Sequence, residues 1–389
     1  MLEIDYINGP KSDKMFGMYK YQMEIRKRLD VILNVIEYES IMQNLEKRLT
    51  PPNNTDAKAQ KKSDENSKDS GIKNFLFNQA RKSVQEIDRY RYRLIVKNSI
   101  HQDNIKHLTN QELAYLLNHM DLDKTVVTCY DLIPWVYEND HGKYWKNIMT
   151  GLRKSDRIIT ISEFSKMEIM KELNYPEERI EIVSVAVDHK VYHPKRDKTI
   201  LKRFNIPENQ KTILYVGSET PRMNLDFLLK SLSKLKKTYP DFKLIKVGDP
   251  QSFGAREHFL NTIKATGLEK NVIFTGYVAE EELPKWYNAA DLLVYPCLYA
   301  GFGVPPLEAM ACGTPVITSN TSSLPEVVGN AGVMVDPNDT DAMSKSMFEV
   351  LTNESRKEEL VQRGLKRSKL FQWDESANTT GEIYRELDQ

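Results

Sequence analysis

The stretch DLLVYPCLYAGFGVPPLEAMACGTPVITS, Asp291–Ser319, decides how the rest of the chain is read. Leu292-Leu293-Val294-Tyr295 is apolar without alternation, as a parallel strand buried on both faces must be. The glycine-punctuated loop Gly301-Phe302-Gly303 follows, and Pro305-Pro306 then opens LEAMACG. Proline suits the first helical turn, whose N–H groups lack partners anyway, and Gly313 suits the residue just past the last turn. Thr314 to Thr318 reads as the next strand. Strand, glycine loop, helix and strand present loop amides and a helix N-terminus at the carboxyl edge of a sheet, where anions and typically phosphates bind. Glu308 falls within the first turn, placed to accept hydrogen bonds from a ribose.

Working back from this stretch, the second half alternates strand and helix. Thr212–Val216, Phe242–Val247 and Val272–Thr275 read as strands, each closed by a glycine: Gly217, Gly248 and Gly276. Helices are expected over Leu225–Thr238, Arg256–Thr266 and Glu280–Ala289, with Trp286 and Tyr287 as helix-packing residues. Such alternation implies a parallel sheet covered on both faces.

The first half carries the same signal more faintly. Leu2–Ile7, Val31–Ile36, Thr125–Cys129, Arg157–Ile161 and Ile180–Val183 read as strands. Met18–Leu29 has helical character, and Gly17 before it is either a point of close ligand approach or an ordinary turn glycine. Ser162-Glu163 is expected to cap a helix running to Leu173. Polar residues just past Cys129, namely Tyr130 and Asp131, fall where a crevice would be lined. Thr50–Lys73 is nearly devoid of apolar residues and reads as a mobile surface loop. Phe75–Lys97 mixes aromatics with arginines; a solvated helix followed by a strand is the favoured reading over a surface that meets a phosphate-bearing or membrane-attached acceptor. The irregular, proline-containing segment from Ala186 to Lys211 is the expected boundary. The expected units are residues 1–198, residues 199–370, and a terminal segment 371–389.

Composition narrows the function classes. A chain of 389 residues has room for two domains. Its 55 basic and 55 acidic residues cancel, so no broad basic field points to nucleic acid. No apolar run approaches the roughly 18 residues of a membrane span, and no leader pattern opens the chain. The three cysteines, Cys129, Cys297 and Cys312, sit in apolar surroundings without ligand spacing, so reduced, buried thiols in a cytoplasmic protein are expected. The seven histidines show no ligand spacing either, and no metal or other cofactor is expected. Pro306 stands where a dinucleotide fingerprint would need its third glycine, which argues against a nicotinamide-linked oxidoreductase.

Four words of the second half, YVGSETPRMNLDFLL, FTGYVAEEELPKWYNAADLLVYP, GFGVPPLEAMACGTPVITS and SSLPEVVGNAGVMVDP, resemble the retaining glycosyltransferases of family four, in that family's order. FGMYKYQMEI, HLTNQELAYLL, VVTCYDLIP and RIITISEFSK resemble its first domain at lower strength. FQWDESANTTGEIYREL is similar to its last helix, which crosses back onto the first domain. The resemblance implies the GT-B fold, an α/β architecture of two facing Rossmann-like domains with a cleft between them. It also implies transfer of a sugar from a nucleotide-diphosphate donor to a glycan or lipid-linked acceptor hydroxyl, with retention and without a metal. Membrane contact would be peripheral, at the inner face.

Carried over residue by residue, the resemblance places Glu308 on the ribose hydroxyls. The amides around Gly301, Phe302, Gly303 and Val304 would meet the distal phosphate and sugar. Arg222 would neutralise the diphosphate between the glycine turns of Gly217 and Gly248. Tyr277 and Val278 would frame the base, and Gly17 would face the diphosphate from the other domain. Four positions depart from the family. Ala300 stands where an acid contacts the donor sugar, Met223 where a lysine follows the arginine, Ser218 where a basic residue often follows the strand glycine, and Tyr130 where a histidine precedes Asp131. Tyr130, Asp131 and Arg222 are the catalytic candidates. The departures keep a second expectation open, a catalytically weakened protein of this fold that binds nucleotide or glycan as a scaffold.

Overall fold

The computed structural model describes residues 2–10, 17–49, 69–252 and 254–389. Twelve strands among them form two six-stranded, wholly parallel sheets. The first holds β1 (Glu3–Pro10), β2 (Ile32–Tyr38), β3 (Ile105–Leu108), β4 (Thr125–Thr128), β5 (Arg157–Thr160) and β6 (Ile180–Ile182), in the order β2-β1-β3-β4-β5-β6. The second holds β7 (Lys211–Val216), β8 (Phe242–Val247), β9 (Val272–Gly276), β10 (Leu292–Tyr295), β11 (Val316–Ser319) and β12 (Val333–Val335), in the order β12-β11-β10-β7-β8-β9. The central strands β4 and β10 are buried at every position, which is why their sequences show no alternation. Helices cover both sheets, and the chain is a pair of Rossmann-like units.

Several local expectations hold. Ser162 accepts from the Ser165 N–H at 3.1 Å and caps the helix Glu163–Leu173, which ends on Asn174 in the left-handed region. All three cysteines are buried free thiols. Other expectations change. β1 runs on to Pro10, three residues past the expected end at Ile7, and a helix begins at Gly17. Of the segment read as a mobile loop, 50–68 lies outside the described residues, and from Asp69 the chain is helical. The expected helix-then-strand over Phe75–Lys97 is one helix, Asp69–Ser99. Its buried residues Asp88, Tyr92 and Val96 recur every fourth position, a helical period, whereas a strand would bury alternate residues. HLTNQELAYLL, which reads as a short strand end with a helix after it, is the end of β3 followed by a 3-10 helix, Gln111–Asn118, so that expectation holds. The helix expected from Glu280 begins instead at Leu283, because Pro284 takes the first turn. Among the described residues, no helix is long and apolar enough to cross a membrane.

The terminal helix, Trp373–Leu387, returns to the first sheet unit. Trp373 meets Tyr21 edge-on, with ring centroids 5.8 Å apart, and Ser376 Oγ donates to the Ser184 carbonyl at 2.8 Å. Tyr384 and Thr128 bracket the imidazole of His107, with Tyr384 Oη 2.5 Å from Nδ1 and Thr128 Oγ1 2.8 Å from Nε2. Burial pushes that imidazole down to about 3 from its ordinary 6.5. A folded-state value below the unfolded one means that the unfolded chain takes up a proton first as the pH falls. This residue's stability contribution is therefore present above about pH 6.5 and declines steadily below it. Between pH 7 and pH 5 the loss comes to about 2 kcal/mol. Urea titrations at the two pH values should show that loss, and His107→Gln should flatten the dependence by the same amount.

Candidate active site

The two sheet units meet through the loops at the carboxyl ends of their strands. Gly301, in the loop after β10, lies directly against the first unit. A methyl group added there would come within 3.0 Å of Asp131 Cβ and Oδ2, and within 3.1 Å of the Tyr130 carbonyl. Ser165 Oγ spans the same junction, 3.1 Å from the Tyr130 carbonyl and 3.4 Å from that of Gly301. Glu326 of the second unit accepts from the N–H groups of Glu163 and Phe164, at 2.8 and 3.3 Å, at the start of a first-unit helix. Tyr299 Oη donates to the Glu168 carboxylate of that helix.

The loop itself is held from behind. Ser322 Oγ accepts from the Ala300 N–H at 3.0 Å, and Ser323 Oγ donates to the carbonyls of Ala300 (2.8 Å) and Phe302 (2.6 Å). Gly303 has φ +119°, a conformation that favours glycine, and an added Cβ would lie 2.8 Å from Leu324 Cδ2. The helix Val304–Ala311 starts from it. Among the described residues, the backbone N–H groups of Gly301, Phe302 and Gly303 have no acceptor, although all three residues are buried. Buried amides are ordinarily paired, and donors left over at a helix start form an anion-binding surface.

Arg222 lies on this loop's flank. Its guanidinium donates to the Tyr299 carbonyl at 3.1 Å. It also lies close enough to Asp131 to act against burial, which is the larger effect and raises the Asp131 carboxyl. The Ile133 N–H donates to Asp131 Oδ1 at 3.0 Å. Gly217 and Gly248 form the neighbouring double turn, with φ of +151° and +110°, and a Cβ on Gly248 would come within 2.7 Å of the Gly217 carbonyl. A buried ion group braces it from below: Glu219 pairs with Lys246 at 2.9 Å and with Arg256 at 2.6 Å, and Lys246 Nζ donates to the Gly248 carbonyl at 2.5 Å. Burial lowers the Lys246 ammonium. Ser218 is buried, its hydroxyl 3.0 Å from that of Thr220. Tyr277, at the end of β9, is exposed, and Val278 is half-buried beside it.

Glu308 is buried, and both its oxygens are engaged. Tyr287 Oη donates to Oε2 at 2.8 Å, and Lys20 Nζ lies 3.2 Å from Oε1. Lys20 belongs to the first unit, on the helix Gly17–Arg26, and also pairs with Glu280. Tyr192 Oη donates to Glu280 at 2.7 Å, and the Lys20 ammonium sits 4.8 Å from the centre of the Tyr192 ring. Burial raises the Glu308 carboxyl above the ordinary range while Lys20 pulls it down. Burial works against the Lys20 ammonium, and the two carboxylates more than offset it.

The structure thus groups Asp131, Arg222, Ala300, Gly301, Phe302, Gly303 and Glu308 about one junction, and one expectation needs correction. Tyr130, read as a crevice residue, is turned inward; it is 3 % exposed and its hydroxyl donates to the Thr109 and Met18 carbonyls at 3.1 and 3.4 Å. Tyrosine has room to bury its ring against Tyr21 because the first unit's core reaches the strand end there. Tyr287, read as a packing residue, does pack, and in addition orients Glu308. Among the described residues, a Cβ on Gly17 would meet nothing within 4 Å. Met223, where a lysine was looked for, is a core residue, its sulfur 3.7 Å from Cys297 Sγ. Lys20, Tyr192 and Glu280 were missed. The one available signal was YKYQMEI following Gly17, a cation in the first turn of the helix across the junction. A separate hollow of about 370 Å³, lined by Arg196, Lys198, Lys211 and Asp291 among others, lies at the opposite edge of the second sheet. There Asp291 ties the linker to the sheet through Lys198 at 2.9 Å.

The family model described as glycosyl transferases group 1 matches residues 196–367. The O-antigen chain mannosyltransferase B of Escherichia coli is 36 % identical over 275 residues, which are 68 % of this chain and 71 % of that protein. The serotype-specific mannosyltransferase WbdA of Escherichia coli is 30 % identical over 279 residues, and the match spans 34 % of that longer protein. Among solved structures, a sucrose-phosphate synthase from Thermosynechococcus elongatus superposes with a TM-score of 0.74 at 20 % identity, over 100 % of this chain and 99 % of its own. Anabaena HepE in complex with UDP and glucose superposes with a TM-score of 0.71 at 16 % identity, over 98 % and 99 %.

The tightness of the junction at Gly301 has a direct consequence. Gly301→Val should wedge the two units apart, because Asp131 and the Tyr130 carbonyl leave no space for a side chain. Small-angle scattering should report a larger radius of gyration, with each sheet unit's secondary structure unchanged by circular dichroism.

Proposed function

The chain belongs to the group 1 glycosyltransferases, and we propose that it moves a sugar, mannose being the first to test, from a nucleotide-diphosphate donor onto a hydroxyl of a growing cell-surface polysaccharide, with retention. The observation that carries this reading is the set of buried, acceptor-less amides of Gly301, Phe302 and Gly303 beside Arg222, facing Asp131 across the junction. Oriented donors in a water-poor cleft stabilise a departing diphosphate far better than they would in water. The Arg222 guanidinium adds the positive charge that the leaving group needs. Glu308 accepts from the ribose hydroxyls, held in place by Tyr287. The turn of Gly217 and Gly248 keeps the floor of the site free of side chains, and Tyr277 and Val278 edge the base. The cleft excludes water that would otherwise compete with the acceptor.

Asp131 is a carboxylate set directly against the loop on which Ala300 replaces the expected acid, and burial keeps its proton affinity high. This suits it to meet sugar hydroxyls from the first unit's side. The similarity to the two mannosyltransferases supports mannose and an O-antigen type of product. A second reading, donor binding with weak turnover, is favoured by one observation: Ala300, Met223 and Tyr130 are all buried and bring neither a charge nor an acid to the site.

The test is a panel of nucleotide sugars, GDP-mannose included, assayed for binding by calorimetry and for transfer to a mannose-terminated acceptor. Glu308→Ala should lower nucleotide affinity by about ten- to a hundredfold, the worth of a charge-assisted hydrogen bond. Unchanged affinity would remove Glu308 from the ribose. Tight binding without transfer to any acceptor would favour the second reading.

A further inference from the structure

Glu308 of the second unit is approached by an ammonium that the first unit supplies. The groups facing it are Lys20 on the helix Gly17–Arg26, Tyr287 on the helix Leu283–Ala289, Glu280 in the turn before that helix, Tyr192 of the linker, Tyr295 at the end of β10 and Cys312 just after Glu308's own helix. Tyr192 of the linker closes the group from behind, donating to Glu280 and lying under the Lys20 ammonium. Two carboxylates, Glu280 and Glu308, therefore share one cation in a place with little water, the Lys20 side chain being 14 % exposed and that of Glu308 6 %.

Resting on the reading of Glu308 as the ribose acceptor, we propose that Lys20 is a positioning residue of the donor site, which holds Glu308 ionised and aimed so that both ribose hydroxyls find an acceptor. Only an ionised carboxylate offers acceptors alone; a protonated one presents a donor to one of the hydroxyls. A carboxylate buried beside a second carboxylate takes up a proton readily unless a cation is close. Because that cation comes from the opposite unit, the charge on the ribose acid depends on the closed junction. Parting the units takes Lys20 away from Glu308, and the second unit by itself is then a poorer nucleotide binder than the closed pair. The first unit contributes to donor recognition through a residue that is not required to touch the donor.

The sign follows from the carboxylate. Its acceptor function is present above its folded-state pKa and is lost as the pH falls through it. Burial already raises that value, Lys20 lowers it, and removing Lys20 moves the loss upward, toward neutral pH. The test uses the full chain, with GDP and UDP as probes, titrated calorimetrically from acid to mildly alkaline pH. Lys20→Met should weaken binding about tenfold or more at neutral pH, and the deficit should shrink as the pH rises. Lys20→Arg should restore both affinity and pH profile. Glu280→Gln removes the competing carboxylate, leaves Lys20 to Glu308 alone, and should shift the acid limb downward. A loss in Lys20→Met that is the same at every pH, with no rescue by arginine, would mark a merely structural residue and overturn the proposal. Full-strength binding by Lys20→Met overturns it as well, leaving the role of Glu308 intact if Glu308→Ala still fails to bind. A wild-type chain whose nucleotide binding ignores Glu308→Ala overturns the underlying reading and this inference with it.

Discussion

A carboxylate cannot be left alone in a protein interior, and the packing around Glu308 answers that constraint. Its two oxygens take a tyrosine hydroxyl from a neighbouring helix and an ammonium from the other sheet unit. The pairing joins the closed state of the molecule to the chemistry of its cleft. It also explains why helix Gly17–Arg26 sits where it does. Lys20 has to reach Glu280 and Glu308 while Tyr21, the next residue, packs on Tyr130 and Trp373 in the first unit's core. One helix turn therefore faces two ways, toward the junction with its cation and toward the first sheet with its ring.

The remainder of the junction follows a similar economy, in which each unit satisfies polar groups of the other. Glu326 accepts from the first N–H groups of the helix Glu163–Leu173, supplementing the cap that Ser162 provides locally. A carboxylate at a helix N-terminus is also favoured by the helix dipole. The glycine at 301 exists because the Asp131 side chain and the Tyr130 carbonyl leave it no space. Among the groups the junction leaves unpaired are three successive amides after β10. Three successive unpaired donors at the start of a helix are what an anionic ligand would need.

Much of the fold was legible in the chain because its signals are local. Strand-forming runs marked β8 and β10 to the residue and β7 to within one, and β10 is apolar throughout because a parallel strand covered on both faces has no reason to alternate. Pro305, Pro306 and Gly313 marked the ends of a helix because each residue type suits only one end. Local signals failed where two patterns share residues. Phe75–Lys97 mixes aromatic, β-branched and basic residues that suit a helix face or a strand, and burial of Asp88, Tyr92 and Val96 on one stripe decided for the helix. The Asp88 carboxylate there accepts from Ser40 and from the N–H groups of Ile41 and Met42, a partnership invisible in composition.

The site divides along the same line. Gly301, Phe302, Gly303 and Glu308 lie within eight residues of one another, so spacing alone brought them together as a loop and the helix after it, although Glu308, expected in the first turn, is the fifth residue of the helix Val304–Ala311. Asp131 and Arg222 were named as separate residues past separate strand ends, and the fold set one against the other. Tyr130 had the right position and the wrong orientation, because a side chain's direction at a strand end depends on what the core beneath can accept. Lys20 is 288 residues from Glu308 along the chain, and no period or motif links them. The sequence by itself determined two parallel α/β units and the phosphate-facing loop of one of them, since these arise from backbone preferences over a few neighbouring residues. Only the tertiary structure decided which charges face each other across the cleft, because a cation and a carboxylate on different units become partners only when packing closes the distance between them.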